Sequence, residues 1–174
     1  MTGSDVSALK DQALPKGFLR DPIHLLAFGL GSGAARVAPG TWGSLAAIPV
    51  WALFFWVPPW AYWLVVALAS VIGIWLCGRT ARDLGVHDHG GIVWDEFVGM
   101  WIALGLFQPT AGVVGIVLAF LLFRVFDILK PWPIRWFDRH MPGGAGIMFD
   151  DILAGVMALG VYYLAMLWLP AGWL

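Results

Sequence analysis

Two stretches of this chain place adjacent carboxylates at the edge of hydrocarbon-rich sequence. Gly91-Ile92-Val93-Trp94-Asp95-Glu96 and Gly146-Ile147-Met148-Phe149-Asp150-Asp151 share one order: Gly-Ile, an apolar residue, an aromatic, then two acids. Apolar residues follow each pair. Acids can simply cap helices, but charge beside hydrocarbon is costly unless something pairs with it. Neighbouring side chains on a helix diverge by about 100 degrees, so at most one acid of each pair should face a shared site directly. The other would act through water. Hard oxygen donors, with a single cysteine and few histidines in the chain, suit Mg²⁺ or Mn²⁺ better than zinc. Mg²⁺ keeps several waters and accepts phosphate oxygens as co-ligands. The chemistry this implies is phosphoryl transfer at a membrane surface.

Cations fall where such a site needs them. Arg124, Asp127 and Lys130 recur every third residue, so they share a helix face that Pro131-Trp132-Pro133 ends. An arginine grips two phosphate oxygens, and the acid between the cations can reach a metal. An intrahelical ion pair is the alternative. In His87-Asp88-His89, Asp88 or an imidazole could serve as general base, or the group could cap a helix. Gly29-Leu30-Gly31-Ser32-Gly33 and Pro39-Gly40-Thr41-Trp42-Gly43-Ser44 offer backbone amides and hydroxyls to phosphate, with Thr41 and Ser44 the candidates. No strand–loop–helix context exists for a Walker or dinucleotide loop. Gly143-Gly144-Ala145-Gly146 lets the chain come close to the second acid pair.

The elements that must position these groups are membrane helices. Of 174 residues, 60% are hydrophobic and 12% charged, far from the balance of a soluble domain. The net charge of −1 points to no partner, and none is expected among nucleic acids. Cys77 lies in an apolar run and reads as a small buried thiol. Residues 1–22 are polar and lack the order of a cleavable signal, so they are expected as a cytoplasmic segment before a single membrane domain, residues 23–174.

Charge-free stretches set the passes. Val37 to Gly78 is long enough for two, broken at Val57-Pro58-Pro59: a short arm from Ser44 to Val57, then Trp60 to Gly78. The short arm should borrow residues from the glycine-rich segment ahead. Phe97 to Phe123 is either one span or a hairpin turning at Gln108-Pro109-Thr110. The hairpin, roughly Ile92–Phe107 and Ala111–Leu129, keeps every Lys and Arg on one side, which the positive-inside tendency makes cytoplasmic. Ile152 to Leu169 is the last span. The expectation is an all-α bundle of about five passes, N-terminus inside, C-terminus outside, with the site at the cytoplasmic rim. Trp56, Trp60, Trp63, Trp168 and Trp173 suit an outer aromatic belt, Trp132 and Trp136 an inner one.

Several long motifs resemble one family. Ala38-Pro39-Gly40-Thr41 with Gly43-Ser44-Leu45 is one, and Val86-His87-Asp88-His89-Gly90 with Ile92 to Phe97 is another. Phe123-Arg124 to Asp127 with Lys130 to Ile134, and Asp138-Arg139 followed by Gly143-Gly144, Gly146-Ile147-Met148 and Asp150-Asp151, complete the set. Together they resemble the phosphatidylglycerophosphatase A family over nearly the whole chain past residue 24. The resemblance implies a Mg²⁺-dependent enzyme of the bacterial inner membrane. It would hydrolyse phosphatidylglycerophosphate, a membrane phospholipid, to phosphatidylglycerol and phosphate.

The mechanism expected on this basis has Asp95, Glu96, Asp150 and Asp151 as metal ligands, with Asp127 contributing directly or through water. Arg124, Lys130 and Arg139, with Thr41 and Ser44, would hold the phosphate. A water activated at the metal, by Asp88 or by a histidine such as His89 would attack phosphorus in line. An aspartyl-phosphate route stays open. Two other readings remain: a phosphatase for another lipid phosphate, such as an isoprenoid diphosphate, and a cation or proton transporter. Acids at span ends rather than mid-span weigh against the transporter. Oligomeric state is left undetermined.

Overall fold

A computed structural model describes residues 14–105 and 112–168, and all its regular elements are helical. A 3₁₀ turn at Phe18–Arg20 leads into α1 (Pro22–Ala27), and a kinked 3₁₀ segment at Gly29–Ala34 leads on to α2 (Pro39–Ala52). Then come α3 (Pro59–Asp83), α4 (Trp94–Leu104), α5 (Gly112–Leu129), α6 (Ile134–His140) and α7 (Gly143–Trp168).

Each expected apolar segment contains a helix among the described residues. Among the described residues, three helices, α3, α5 and α7, are long and apolar enough to cross a membrane. The helices α2 and α4, with 14 and 11 residues, reach about 21 and 16 Å, short of a hydrocarbon core of about 30 Å. The first arm does borrow from the glycine-rich segment: α2 begins at Pro39, where proline's missing N–H costs nothing, and ends five residues before the Pro-Pro break. The hairpin replaces the single middle span, since Glu96 at the start of α4 lies beside Arg124 and Asp127 at the end of α5. Its turn at residues 108–110 falls outside the described residues.

Helix α4 is the hub. It packs against α2, α3, α5 and α7, and every residue from Phe97 to Leu104 is buried. A helix apolar on all sides has to be enclosed by others. Three polar tips cross this core and find partners. Tyr62 Oη donates to the Trp101 carbonyl at 2.6 Å, Trp101 Nε1 to Ala47 at 3.0 Å, and Trp94 Nε1 to Ala69 at 3.1 Å. They tie α3, α4 and α2 together. By contrast α5 turns Val113, Val114, Leu121 and Ile128 outward, as a lipid-facing helix does. Trp56, Trp60 and Trp132 are largely exposed, whereas Trp63, expected in the outer belt, packs against the core beside Tyr62; Trp173 lies outside the described residues.

Small residues decide how closely the helices approach. A Cβ on Gly99 would sit 2.6 Å from the Phe123 ring and 2.7 Å from the Asp151 carbonyl, and one on Gly155 would collide with the Gly99 carbonyl. One on Gly144 would collide with the Ile74 carbonyl of α3. The segment Gly143–Gly146 is the first turn of α7, which thus begins nine residues before the span expected from Ile152. Asp150 and Asp151 lie two turns inside that helix instead of at its mouth.

The expected N-terminal segment is tied to the bundle where it is described. Leu14, Phe18 and Leu19 pack against the core, with Phe18 stacked on His24 at 4.0 Å between centroids; His24 in turn meets Thr80 Oγ1 at 3.0 Å and Asp83 at 3.4 Å on α3.

Two outcomes follow from this packing. Gly99→Ala must push α4 from α5 and α7, at a cost of about 1–3 kcal/mol, seen as a lower melting temperature with activity falling alongside it. Cysteines at His87 and Pro142, both exposed at the acid end of the bundle, should react with a membrane-impermeant maleimide from the same side of sealed vesicles.

Candidate active site

The α4–α7 contact brings the two acid pairs together. One carboxylate oxygen each from Asp95, Glu96 and Asp151 lies within 4.8 Å of the others. Both members of the first pair join the cluster, contrary to the one-per-pair expectation, and only Asp151 of the second does. Glutamate's extra methylene lets Glu96 reach round the helix, which the 100-degree argument for equal side chains ignores. Asp95 Oδ1, Glu96 Oε2 and Asp151 Oδ2 are sealed from solvent, and none has a hydrogen-bond partner among the described residues. Such orphaned oxygens are rare and costly.

Asp150 is turned elsewhere. Lys130 Nζ donates to Asp150 Oδ2 and, at 2.7 Å, to Asp138 Oδ1 on α6. Partial burial pushes the ammonium's pKa down, but the Asp150 and Asp138 carboxylates outweigh this and hold it above the ordinary lysine value. Lys130 thus latches α6 to α7 across the Pro131–Pro133 turn. Asp138, present in a family-like motif, was given no role by spacing, because the turn that returns α6 to the site breaks the helical period linking Lys130 to its partners.

Arg124 and Asp127, one turn apart near the end of α5, form an ion pair. Arg124 Nη1 also approaches Ser44 Oγ at 3.4 Å, while that hydroxyl donates to the Gly40 carbonyl at 2.8 Å. The guanidinium Nε remains buried without a partner among the described residues. Asp127 lies beside both Glu96 and Asp151, so it borders the cluster. Gly40, named in the sequence only for its backbone amide, packs against Glu96 and Arg124. A Cβ there would run into Glu96 Oε1 and sit 3.2 Å from Arg124 Nη1, so a larger residue would displace these two side-chain ends. Thr41 follows it in the same turn.

A cavity of about 400 Å³ opens beside the cluster, lined among others by His87, Asp88, Asp95, Asp138 and Asp150. Asp95 belongs to both cavity and cluster. His89 is buried in the preceding loop, where its Nδ1 accepts from the Gly91 N–H at 3.0 Å and Phe28 lies against its ring. It does not line the cavity. Arg139 lies on a separate groove, with Trp132 and Trp136.

The model of the phosphatidylglycerophosphatase A family matches residues 25–166, a span holding every one of these groups. The chain belongs to that family. It is 54% identical over 154 residues to phosphatidylglycerophosphatase A of Escherichia coli K12, covering 88% of this chain and 89% of the relative. With the Haemophilus influenzae phosphatidylglycerophosphatase A it shares 47% identity over 161 residues, 92% of this chain and 98% of that one. A Bacteroides thetaiotaomicron protein, provisionally named a phosphatidylinositol-3-phosphatase, is 39% identical over 138 residues, 76% of this chain and 86% of its own. No solved structure matches the chain at a significant level.

The protein is a phosphatase enzyme with membrane helices, and its acid cluster fits a divalent cation. Three like charges at this spacing repel unless a cation joins them or protons neutralise them, and their orphaned oxygens are the hard donors that Mg²⁺ takes. Asp95→Asn removes one repelling charge, so metal-free variant protein should melt above metal-free wild type, by about 1 kcal/mol or more. Mg²⁺ or Mn²⁺ at a hundred times its dissociation constant should add about 2.7 kcal/mol to wild type and much less to the variant. Thermal unfolding with chelator against added cation measures both; wild type indifferent to both cations would refute the cation assignment.

Proposed function

We propose that the chain hydrolyses the terminal phosphomonoester of phosphatidylglycerophosphate, yielding phosphatidylglycerol and inorganic phosphate, with Mg²⁺ held by Asp95, Glu96 and Asp151. The observation that carries this is the buried three-carboxylate cluster, opened through Asp95 to a cavity and flanked by Arg124, in a chain of this family. Asp127, at its border, is the fourth candidate ligand. Asp150 serves instead to anchor Lys130. Bound there, the cation supplies positive charge against the phosphate oxygens and the charge growing on the leaving oxygen.

The protein's own groups do the rest. The diacylglycerol part stays in the bilayer, and the headgroup enters the cavity from the rim. Arg124, oriented by Asp127 and Ser44, offers N–H donors to the phosphate, and Lys130 holds one wall of the cavity in place. Asp88 on the cavity wall accepts a proton from the attacking water. The water oxygen bonds to phosphorus, the ester P–O bond on the opposite side breaks, and the glycerol alkoxide is reprotonated from cavity water. The cations Arg79, Arg82, Arg124, Lys130, Arg135 and Arg139 occupy helix ends on the acid side of the bundle, which supports a cytoplasmic rim in a bacterial inner membrane.

Phosphate release from phosphatidylglycerophosphate in mixed micelles tests the reading. Wild type should require Mg²⁺, Asp95→Asn and Asp151→Asn should each lose at least about a hundredfold in kcat, and Arg124→Ala a similar factor. Folded Asp95→Asn with full activity would overturn the site. Faster turnover of a phosphoinositide monoester would keep the site and change the substrate.

A further inference from the structure

The groove carrying Arg139 shares no residue with the catalytic cavity. Its volume is about 330 Å³, and it is lined by Pro131, Trp132, Arg135, Trp136, Arg139 and His140. We propose that this groove seats the headgroup of a second, anionic glycerophospholipid, distinct from the substrate, with its phosphodiester between Arg135 and Arg139 and its glycerol end against the two indoles.

Charge complementarity makes the argument. Arg135 and Arg139 are one helical turn apart on α6, hence neighbours on its surface. Neither makes a salt bridge among the described residues; Arg135 spends one N–H on the Leu129 carbonyl at 3.3 Å. The acid of that helix, Asp138, is taken by Lys130, which leaves the groove a net cation. His140 lies stacked on Trp136 with ring centroids 4.7 Å apart, and its Nδ1 faces the Trp136 carbonyl at 2.7 Å, so Nε2 is the ring nitrogen left to meet a ligand.

Beside these charges sits open apolar surface. Trp132 is 81% exposed and Trp136 50%, a large area to leave in water but an ordinary one at the headgroup level of a bilayer. Guanidinium pairs recognise phosphate in a fork geometry, and indoles settle where glycerol meets acyl chain. A zwitterionic lipid offers the same phosphate but adds a cation to an already cationic groove. The selected class is therefore anionic. Because α6 also carries Asp138, whose carboxylate closes one wall of the catalytic cavity through Lys130, a lipid held here would fix that wall at the membrane surface. The proposal does not depend on the reaction assigned to the cavity.

Binding to the intact, detergent-solubilised protein tests it, with phosphatidylserine and phosphatidylcholine titrated separately and retained lipid read by native mass spectrometry. Wild type should hold phosphatidylserine more tightly by about fivefold to thirtyfold, the worth of one to two surface cations near anionic lipid. Arg139→Gln should lose about fivefold of that preference, and Arg135→Gln with Arg139→Gln all of it; paired lysine replacements should restore part. Both positions are exposed, and the single Arg139→Gln protein provides the reading should the double variant melt early. An unchanged preference in Arg139→Gln overturns the proposal. So does displacement of phosphatidylserine by inorganic phosphate at equal concentration, which would mark a soluble-anion site.

Discussion

Mutual repulsion among Asp95, Glu96 and Asp151 is the constraint that the rest of the molecule answers to. Their sealed oxygens lack a protein donor among the described residues, and no flexible surface would hold them so close without one. What holds them is apolar packing on the side away from the rim. Helix α4, enclosed over eight successive residues, cannot withdraw its acidic first turn without exposing its core. The pair Gly99 and Gly155 removes the side chains that would otherwise keep α7 at a distance. The energy of burying hydrocarbon and of close van der Waals contact is thus spent partly on concentrating negative charge, as is usual where stability is traded for a working site.

Around that cluster the counter-charges are arranged in two groups with different partners. Arg124 is tied to Asp127 and Ser44 and borders the cluster, while Lys130 is tied to Asp150 and Asp138 and borders the cavity. Each cation is thereby kept in a defined place, and of the three acids Glu96 is the one beside Arg124. The two networks draw on α2, α5, α6 and α7, so the site is a property of the whole bundle end and not of any one motif.

Much of this was legible in the chain. The charge-free stretches locate the apolar segments because hydrocarbon excludes charge, and that rule acts residue by residue. Pro58-Pro59 and Pro131 interrupt helices by removing N–H donors, again a local effect. The restriction of basic residues to one side chose the hairpin over a single middle span. Segment ends were less legible: the last apolar run was expected from Ile152, yet α7 begins at Gly143, where glycines of low helix propensity let it touch α3. Tertiary contact overrode intrinsic preference.

Within the site the division runs along the same line. Sequence alone determined which residues carry charge at the rim of a helical membrane bundle, that two acid pairs bracket the central hairpin, and that Arg124 and Asp127 share a helix face. Only the tertiary structure decided that Glu96 joins Asp95 in one cluster, that Asp151 enters it while Asp150 turns to Lys130, that Asp138 completes the latch, and that Arg139 belongs to another groove. The reason is geometric. Periodicity orients side chains about a single axis, whereas these choices depend on how several axes approach one another, and a one-residue difference at a helix crossing sends adjacent acids to different partners.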